Sequence, residues 1–311
     1  MCLVTDMTME YEDSNRAFVQ AFLARNVLTF DQAKPILAAI FSVHEKKQVD
    51  AADINKEDFD SMVSAANAAL SPLDFEIRSA DDQETRETFY ALVNTTSDAL
   101  TQLATIHSSD EIGYVKRLLD EIFETSNTQR REAMCIAGKD ALNLARAGRR
   151  ATQNDEQTQP KFSLTAHEVE TLLTKLVAEG WLDKSAKGFY SLSIRGLMEL
   201  KGWLVETYND PVDEDGEAAY QKIKFCHACK GIITKGQRCS DLNCLGRLHD
   251  ICTQQSFRAR QSRTCPVCNR EWDGKHYVGE KAITTSDSYL RGKRRSGARA
   301  ASEAGDEEEE M

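Results

Sequence analysis

The chain has 311 residues, 41% apolar and 29% charged, enough for two or three folded units joined by solvated segments. Thirty-nine basic residues against fifty acidic ones leave a net charge of −11, which argues against the whole chain being a nonspecific polyanion binder. The longest run without a charge, residues 61–73, is shorter than the roughly twenty apolar residues of a membrane helix. Residues 1–6 have neither the basic region nor the apolar core of a secretion signal, so neither membrane insertion nor secretion is expected.

A polar leader over 1–13 is expected to be flexible. Phe18, Ala21 and Phe22 then recur at helical spacing within 15–25, and Ala33, Ile36, Leu37, Ile40 and Phe41 form the stripe of a second amphipathic helix. Pro35 is expected in the first turn of that helix, because deeper placement removes a backbone donor. Asn55-Lys56-Glu57-Asp58 reads as a helix start, and Phe59, Met62, Val63, Ala66 and Leu70 as a third stripe that Ser71-Pro72 ends. Leu73, Phe75 and Ile77 alternate with charged residues, an acidic connection spans 80–87, and 89–95 is rich in aromatic and β-branched types, the pattern of a hairpin. Three helices followed by a two-stranded hairpin is the order of a winged helix, placed here over 14–107.

The order recurs over 108–208. Ile112, Val115, Leu118, Leu119 and Ile122 predict one helix and residues 134–146 a second, with Cys135 read as a buried free thiol. A mobile loop is expected at about 147–161, where apolar residues almost vanish. Thr165-Ala166-His167-Glu168 is a capping box that opens a third helix, Val169, Leu172, Leu173, Leu176 and Val177 give its apolar face, and Gly180 ends it. Residues 181–184 and 189–192 predict the wing, and 194–208 a further helix. An acidic linker follows at 209–220. Residues 281–311 run from basic (Arg291, Lys293, Arg294, Arg295) to acidic and bury too little to order themselves. The run Arg291 to Arg295 also reads as a nuclear import signal.

Seven of the nine cysteines lie between 226 and 268, and with no secretion signal such a cluster predicts metal ligands. The candidates form four pairs: Cys226 and Cys229, Cys239 and Cys244, His249 and Cys252, Cys265 and Cys268. A zinc ion takes four soft or borderline ligands in a tetrahedron, so eight ligands imply two structural Zn2+ ions. Spacing leaves two pairings, consecutive or alternating. Alternation is expected, because about sixty residues with few large apolar groups need long-range ties to fold. It assigns Cys226, Cys229, His249 and Cys252 to the first zinc, and Cys239, Cys244, Cys265 and Cys268 to the second. His227 and His276 are read as bystanders.

At this point residues 221–280 resemble the RING and PHD families, both built on that cross-brace. The ligand order, four cysteines, a histidine and three cysteines, is that of PHD fingers and variant RINGs. Cys265-Pro266-Val267-Cys268, with Arg263 where PHD fingers usually carry an aromatic residue, favours a variant RING. The expected fold is therefore mostly α with small β: tandem winged-helix domains followed by a cross-brace variant RING. Taken whole, the chain resembles the non-SMC element 1 family, the RING subunits of SMC-five/six chromosome-maintenance complexes. The likeness is carried by residues 18–40, by 172–192 with Glu179-Gly180-Trp181-Leu182 and Gly188-Phe189-Tyr190-Ser191-Leu192, and by the zinc segment with Trp272.

The resemblance implies a nuclear, chromosome-associated subunit of DNA repair and recombination, whose winged helices dock a MAGE-family tandem winged-helix subunit. That pair joins a kleisin subunit and the SMC heterodimer. The RING of such a ubiquitin ligase has no nucleophile; it binds a ubiquitin-charged conjugating enzyme, here on Ala228, Pro266 and Val267. Active RINGs usually place Ile or Leu at the Ala228 position, and many place Arg or Lys at that of Asn269, which implies low intrinsic activity raised by the partner. Two alternatives stand beside this: a non-catalytic assembly subunit of the same complex, and a PHD-like chromatin reader. For the reader, Tyr220, Phe225, Phe257, Trp272 and Tyr277 supply no obvious cage. DNA contact is expected to be weak or indirect, since Glu168, Glu170 and Glu179 outnumber Lys175 on the third helix. Arg258, Arg260, Arg263 and Arg270 read as a solvated basic face around a core Phe257.

Overall fold

The computed structural model describes residues 12–95, 106–145, 164–210 and 221–292. The leader up to residue 11, the loop expected at 147–161, residues 211–220 of the acidic linker and the tail from 293 lie outside the described residues.

The elements run α1 (Asp13–Arg25), β1 (Val27–Thr29), α2 (Phe30–Glu45), α3 (Lys56–Leu70), β2 (Phe75–Asp81) and β3 (Thr88–Asn94). Helices α1 to α3 pack through Phe18, Phe22, Leu37 and Phe59, all fully buried, where truncating one such side chain to alanine costs about 2–5 kcal/mol. Phe18 meets Phe22 and Phe59 edge-on at 5.2 and 5.8 Å. An antiparallel sheet of order β1-β3-β2 closes the layer, with Leu28 opposite Tyr90 and Ile77 opposite Leu92. This is the expected winged helix with one strand more than the sequence reading gives. Pro35 also lies deeper than expected. Thr29 and Gln32 form a capping box, with Gln32 N donating to Thr29 Oγ1 at 3.3 Å and Thr29 N to Gln32 Oε1 at 3.0 Å. That box starts the helix at Phe30 and leaves Pro35 inside it, where one backbone hydrogen bond is forgone.

The second copy runs α4 (Ser109–Asp120), a π-turn (Glu121–Thr125), β4 (Ile136–Ala137), a helix over residues 138–145 (α5), α6 (Ala166–Ala178), β5 (Leu182–Lys184) and β6 (Phe189–Leu192). The helix expected over 134–146 starts later. Met134 has a left-handed φ of 49°, and Ile136 and Ala137 pair with Tyr190 and Phe189 as a strand. The Thr165 capping box and the left-handed Gly180 (φ 77°) bound α6 as expected. The following helix breaks at Leu200 into α7 (Ile194–Glu199) and α8 (Lys201–Tyr208). Last come β7 (Gly236–Arg238), β8 (Arg247–Leu248), α9 (Asp250–Arg260), β9 (Tyr277–Val278) and α10 (Glu280–Thr284), with sheet order β8-β7-β9. Helix α10, in which Thr284 is buried, carries ordered structure past position 280, where a disordered tail is expected.

Two units divide the chain. One holds 1–116, 142–185 and 192–207; the other holds 117–141, 186–191 and 208–311. In the first, Ile194 and Met198 of α7 pack on Ala91 and Val93 of β3. His107 is buried there, its Nε2 2.9 Å from Glu179 Oε2 and its Nδ1 3.5 Å from Glu111 Oε2 and Lys175 Nζ. In the second, Gly279 N donates to Glu132 O at 2.8 Å, and Glu132 bridges Val278. Residues 117–141, expected inside a separate winged helix, thus belong to the same unit as the cysteine-rich segment.

Candidate metal centre

The first and last cysteine pairs sit on tight turns fixed by the backbone. Lys230 N donates to Cys226 O at 2.9 Å and Cys226 N to Gly231 O at 2.8 Å; Asn269 N donates to Cys265 O at 3.1 Å and Cys265 N to Arg270 O at 2.7 Å. The two turns are copies of each other, and each needs a left-handed residue after its second cysteine: Lys230 at φ 62° and Asn269 at φ 57°. Asparagine takes that conformation more readily than most residues, which gives Asn269 a backbone role at the position where many RINGs carry a cation.

These turns, the β7–β8 hairpin and the start of α9 gather the eight side chains into two groups. Cys226, Cys229, His249 and Cys252 form one; Cys239, Cys244, Cys265 and Cys268 form the other; in each, all ligand atoms lie within 4.8 Å of one another. This is the alternating pairing. In a tetrahedral site with Zn–S near 2.3 Å, sulfurs stand about 3.8 Å apart. Cys239 Sγ is 3.5 Å from Cys268 Sγ, Cys244 Sγ 3.5 Å from Cys265 Sγ, and Cys229 and Cys252 Sγ are 3.2 and 3.9 Å from His249 Nδ1. Only Nδ1 of His249 faces the group, because Nε2 lies 3.1 Å from Ile232 O and donates to it, the carbonyl partner that fixes a ligating tautomer. Amides of Asp241, Gly246 and Val267 point at Cys239, Cys244 and Cys265 Sγ at 3.4, 3.3 and 3.5 Å, as suits thiolates. Gly246 leaves the space a Cβ would fill beside Cys265 Sγ. The donor set and its cradle fit two metal ions in closed four-ligand sites.

Ala228 and Val267 are exposed and Pro266 half-buried, so the two turns present a small apolar surface outward. Phe257 and Trp272 meet edge-on at 6.0 Å within the core around the clusters, and Trp272 Nε1 donates to Gln237 Oε1 at 2.9 Å. These two rings are structural and form no reader cage. The arginines read as a basic face, Arg258, Arg260, Arg263 and Arg270, are all exposed; Arg260 donates to Thr264 O at 3.0 Å and Arg270 pairs with Asp241 at 3.3 Å. His276 is a bystander paired with Asp273.

Sequence reasoning missed what lies behind the clusters. Arg247, Arg238 and Lys224 are buried, and all three meet the fully buried Glu132. Arg247 Nε and Nη2 donate to its two oxygens at 2.8 and 2.6 Å, with Lys224 Nζ at 2.9 Å and Arg238 Nη1 at 3.2 Å. Burial raises the Glu132 carboxyl, but hydrogen bonds from Arg247 and the three cations outweigh it and hold the group at about 2. No local pattern marks Glu132, since its partners are 92 or more residues away.

A family model described as the Nse1 non-SMC component of the SMC5-6 complex matches residues 15–200. The chain belongs to the Nse1 family. A second model, described as a RING-like domain, matches 226–268, from the first candidate ligand to the last. Among Nse1-family relatives, the non-structural maintenance of chromosomes element 1 homologs of Xenopus laevis and Homo sapiens are each 26% identical. The first aligns over 86% of this chain and 85% of the relative, the second over 84% of both. The Saccharomyces cerevisiae element 1 aligns over 50% of this chain at 23% identity. Among solved structures, a chain of an Nse1-Nse3-Nse4 complex matches with a TM-score of 0.63 at 24% identity, over 84% of this chain and 97% of that one. That likeness shows the shared fold.

Proposed function

We propose that this Nse1-family chain is the RING-type ubiquitin ligase subunit of its SMC5-6 complex, acting in DNA repair at nuclear chromosomes. Two structural zinc ions fill the closed clusters. The observation that carries the reading is the alternating pair of four-ligand groups, whose outer turns expose Ala228, Pro266 and Val267. Zinc supplies only rigidity there, since a closed four-ligand site leaves no position for water. The apolar turns hold a ubiquitin-charged conjugating enzyme and bias its thioester toward an attackable geometry, which is catalysis by positioning. No nucleophile of this chain takes part.

Its winged helices dock a MAGE-family subunit, and that pair joins a kleisin subunit. The likeness to a chain of an Nse1-Nse3-Nse4 complex supports an assembly of this kind. The small Ala228 and the uncharged Asn269 favour activity that depends on the partner. The test is ubiquitin discharge from a panel of charged conjugating enzymes, by the chain alone and with its MAGE-type partner, against a folded Val267→Arg variant. The reading expects partner-raised discharge that Val267→Arg abolishes. No discharge with any enzyme, from protein holding two zincs, would instead make the chain a non-catalytic assembly subunit.

A further inference from the structure

The RING-like segment does not close on its own residues. Its Arg247 side chain is fully buried, and two of its three guanidinium nitrogens are held by Glu132, 115 residues earlier. The third, Nη1, donates to Cys244 O at 2.7 Å and to Gly246 O at 2.8 Å. Cys244 is a ligand of the all-cysteine cluster, and Gly246 is the residue whose amide points at its sulfur. The same arginine therefore fixes the carbonyls on both sides of a ligand turn. Toward the other cluster, among the described residues, Arg247 acts through the backbone: its carbonyl accepts from His227 N at 2.9 Å, and it stands two residues before His249.

Two further ties run from the Glu132 strip to the turn that carries Cys239 and Cys244. Arg238 Nη1 donates to Gln129 O at 2.7 Å, and Gln129 Nε2 donates to Asn243 Oδ1 at 2.7 Å. Asn127 Nδ2 donates to Lys222 O at 2.9 Å, at the entrance to the segment. Residues 129–132 thus back the all-cysteine cluster, while Asn127 and the Glu132–Lys224 pair hold the chain just before Cys226, with Glu132 at the centre of the charge.

We propose that Glu132 is a positioning residue for the cluster of Cys239, Cys244, Cys265 and Cys268, acting through Arg247 as an outer-shell anchor from outside the RING-like segment. The inference rests on the reading of these clusters as zinc sites. Without the carboxylate, three buried cations face one another uncompensated, and a buried charge stripped of its partner leaves its site. Arg247 then releases the Cys244 and Gly246 carbonyls, and the Cys244 sulfur loses its aim. The histidine-containing cluster, which Glu132 reaches through Lys224 two residues before Cys226 and not through a side-chain bond from Arg247, is disturbed less.

The experiment uses the full chain loaded with zinc, as wild type, Glu132→Gln and Arg247→Lys. Chelator-driven metal release gives the rates, and cadmium-exchanged protein separates the all-cysteine site from the histidine site by NMR. Both variants should release one of two metals about ten- to a hundredfold faster, and the disturbed cadmium signal should be that of the all-cysteine site. Equal acceleration at both sites marks a merely structural role and overturns the proposal, as does unchanged release. Wild-type chain that binds no zinc overturns instead the reading beneath it. Where neither variant folds, the unmodified chain decides by hydrogen exchange. Stripping the metal should deprotect residues 127–133, and unchanged protection there refutes the coupling.

Discussion

Replacing Gly246 with alanine tests the cradle of the all-cysteine cluster, and Gly231→Ala is its internal control. A Cβ on Gly231 would stand 3.6 Å from Cys229 Sγ and 3.7 Å from His249 Cε1, which is ordinary contact. A Cβ on Gly246 would fall inside 3.0 Å of Cys265 Sγ, with Cys244 Sγ at 3.4 Å and Cys239 Cβ at 3.6 Å. Restoring ordinary contact requires that Cys265 Sγ move by at least about 0.6 Å, the gap between 3.0 and 3.6 Å. Metal–ligand distances tolerate only about 0.2 Å. A free thiol would swing aside at little cost, but a sulfur bound to zinc cannot without leaving the metal. A structural zinc is worth about 10–16 kcal/mol over four ligands, so losing one costs on the order of 3 kcal/mol, or a hundredfold in affinity. Zinc retained against a competing chelator, read by colorimetric release, should stay at two per chain in Gly231→Ala and fall toward one in Gly246→Ala at the same chelator concentration. Two zincs in Gly246→Ala, with the wild-type half-life under chelator, would refute the geometry and the metal together.

Two titratable groups give further predictions. Burial lifts the Glu199 carboxyl to about 6 against the pull of Arg195, and neither of its oxygens has a hydrogen-bond partner. A carboxyl raised in the folded state adds stability below its unfolded value near 4.5, and that stability is lost as pH rises through 6. At pH 7 the loss is about 2 kcal/mol. Urea midpoints should therefore rise in the wild type as pH falls from 7 to 5, and this rise should flatten in Glu199→Gln; parallel curves would count against the buried charge. Burial also pushes the Cys135 thiol up to about 12. In zinc-loaded native chain at neutral pH, mass spectrometry should find Cys135 unalkylated until denaturant is added, and prompt labelling of the native chain would contradict its placement.

The two four-residue groups are legible in the sequence because cysteine pairs at short spacing have few other uses, and because a small segment with little apolar mass has to be tied across its length. Capping boxes are just as local, and Thr165 marks the start of α6 in the sequence itself. Thr29 and Gln32 carry the same signal, but the apolar stripe begins only at Ala33, so apolar spacing alone starts the helix too late and puts Pro35 in its first turn. Strands β1 and β4 have three and two residues, too few for a period-two pattern to exist. Their only mark is the left-handed residue before each, Asn26 and Met134, and methionine gives no hint of that conformation. Glu132 was invisible for a different reason. In the sequence it is one more charge in the polar run 128–132, and what makes it particular is three cations that the fold brings from far away.

Sequence distance also has a meaning in time. Glu132 leaves the ribosome 92 residues ahead of Lys224 and 115 ahead of Arg247, which at about 5–20 residues per second amounts to roughly 6–23 seconds for Arg247. Until Lys224 emerges, none of the three cations that surround the Glu132 carboxylate in the finished unit has been made. The all-cysteine group is likewise completed late in synthesis, when Cys268 emerges. A message cut anywhere between codons 142 and 223 yields a chain in which residues 117–141 are present while the three cations that meet Glu132 and the eight side chains of the two clusters are all missing.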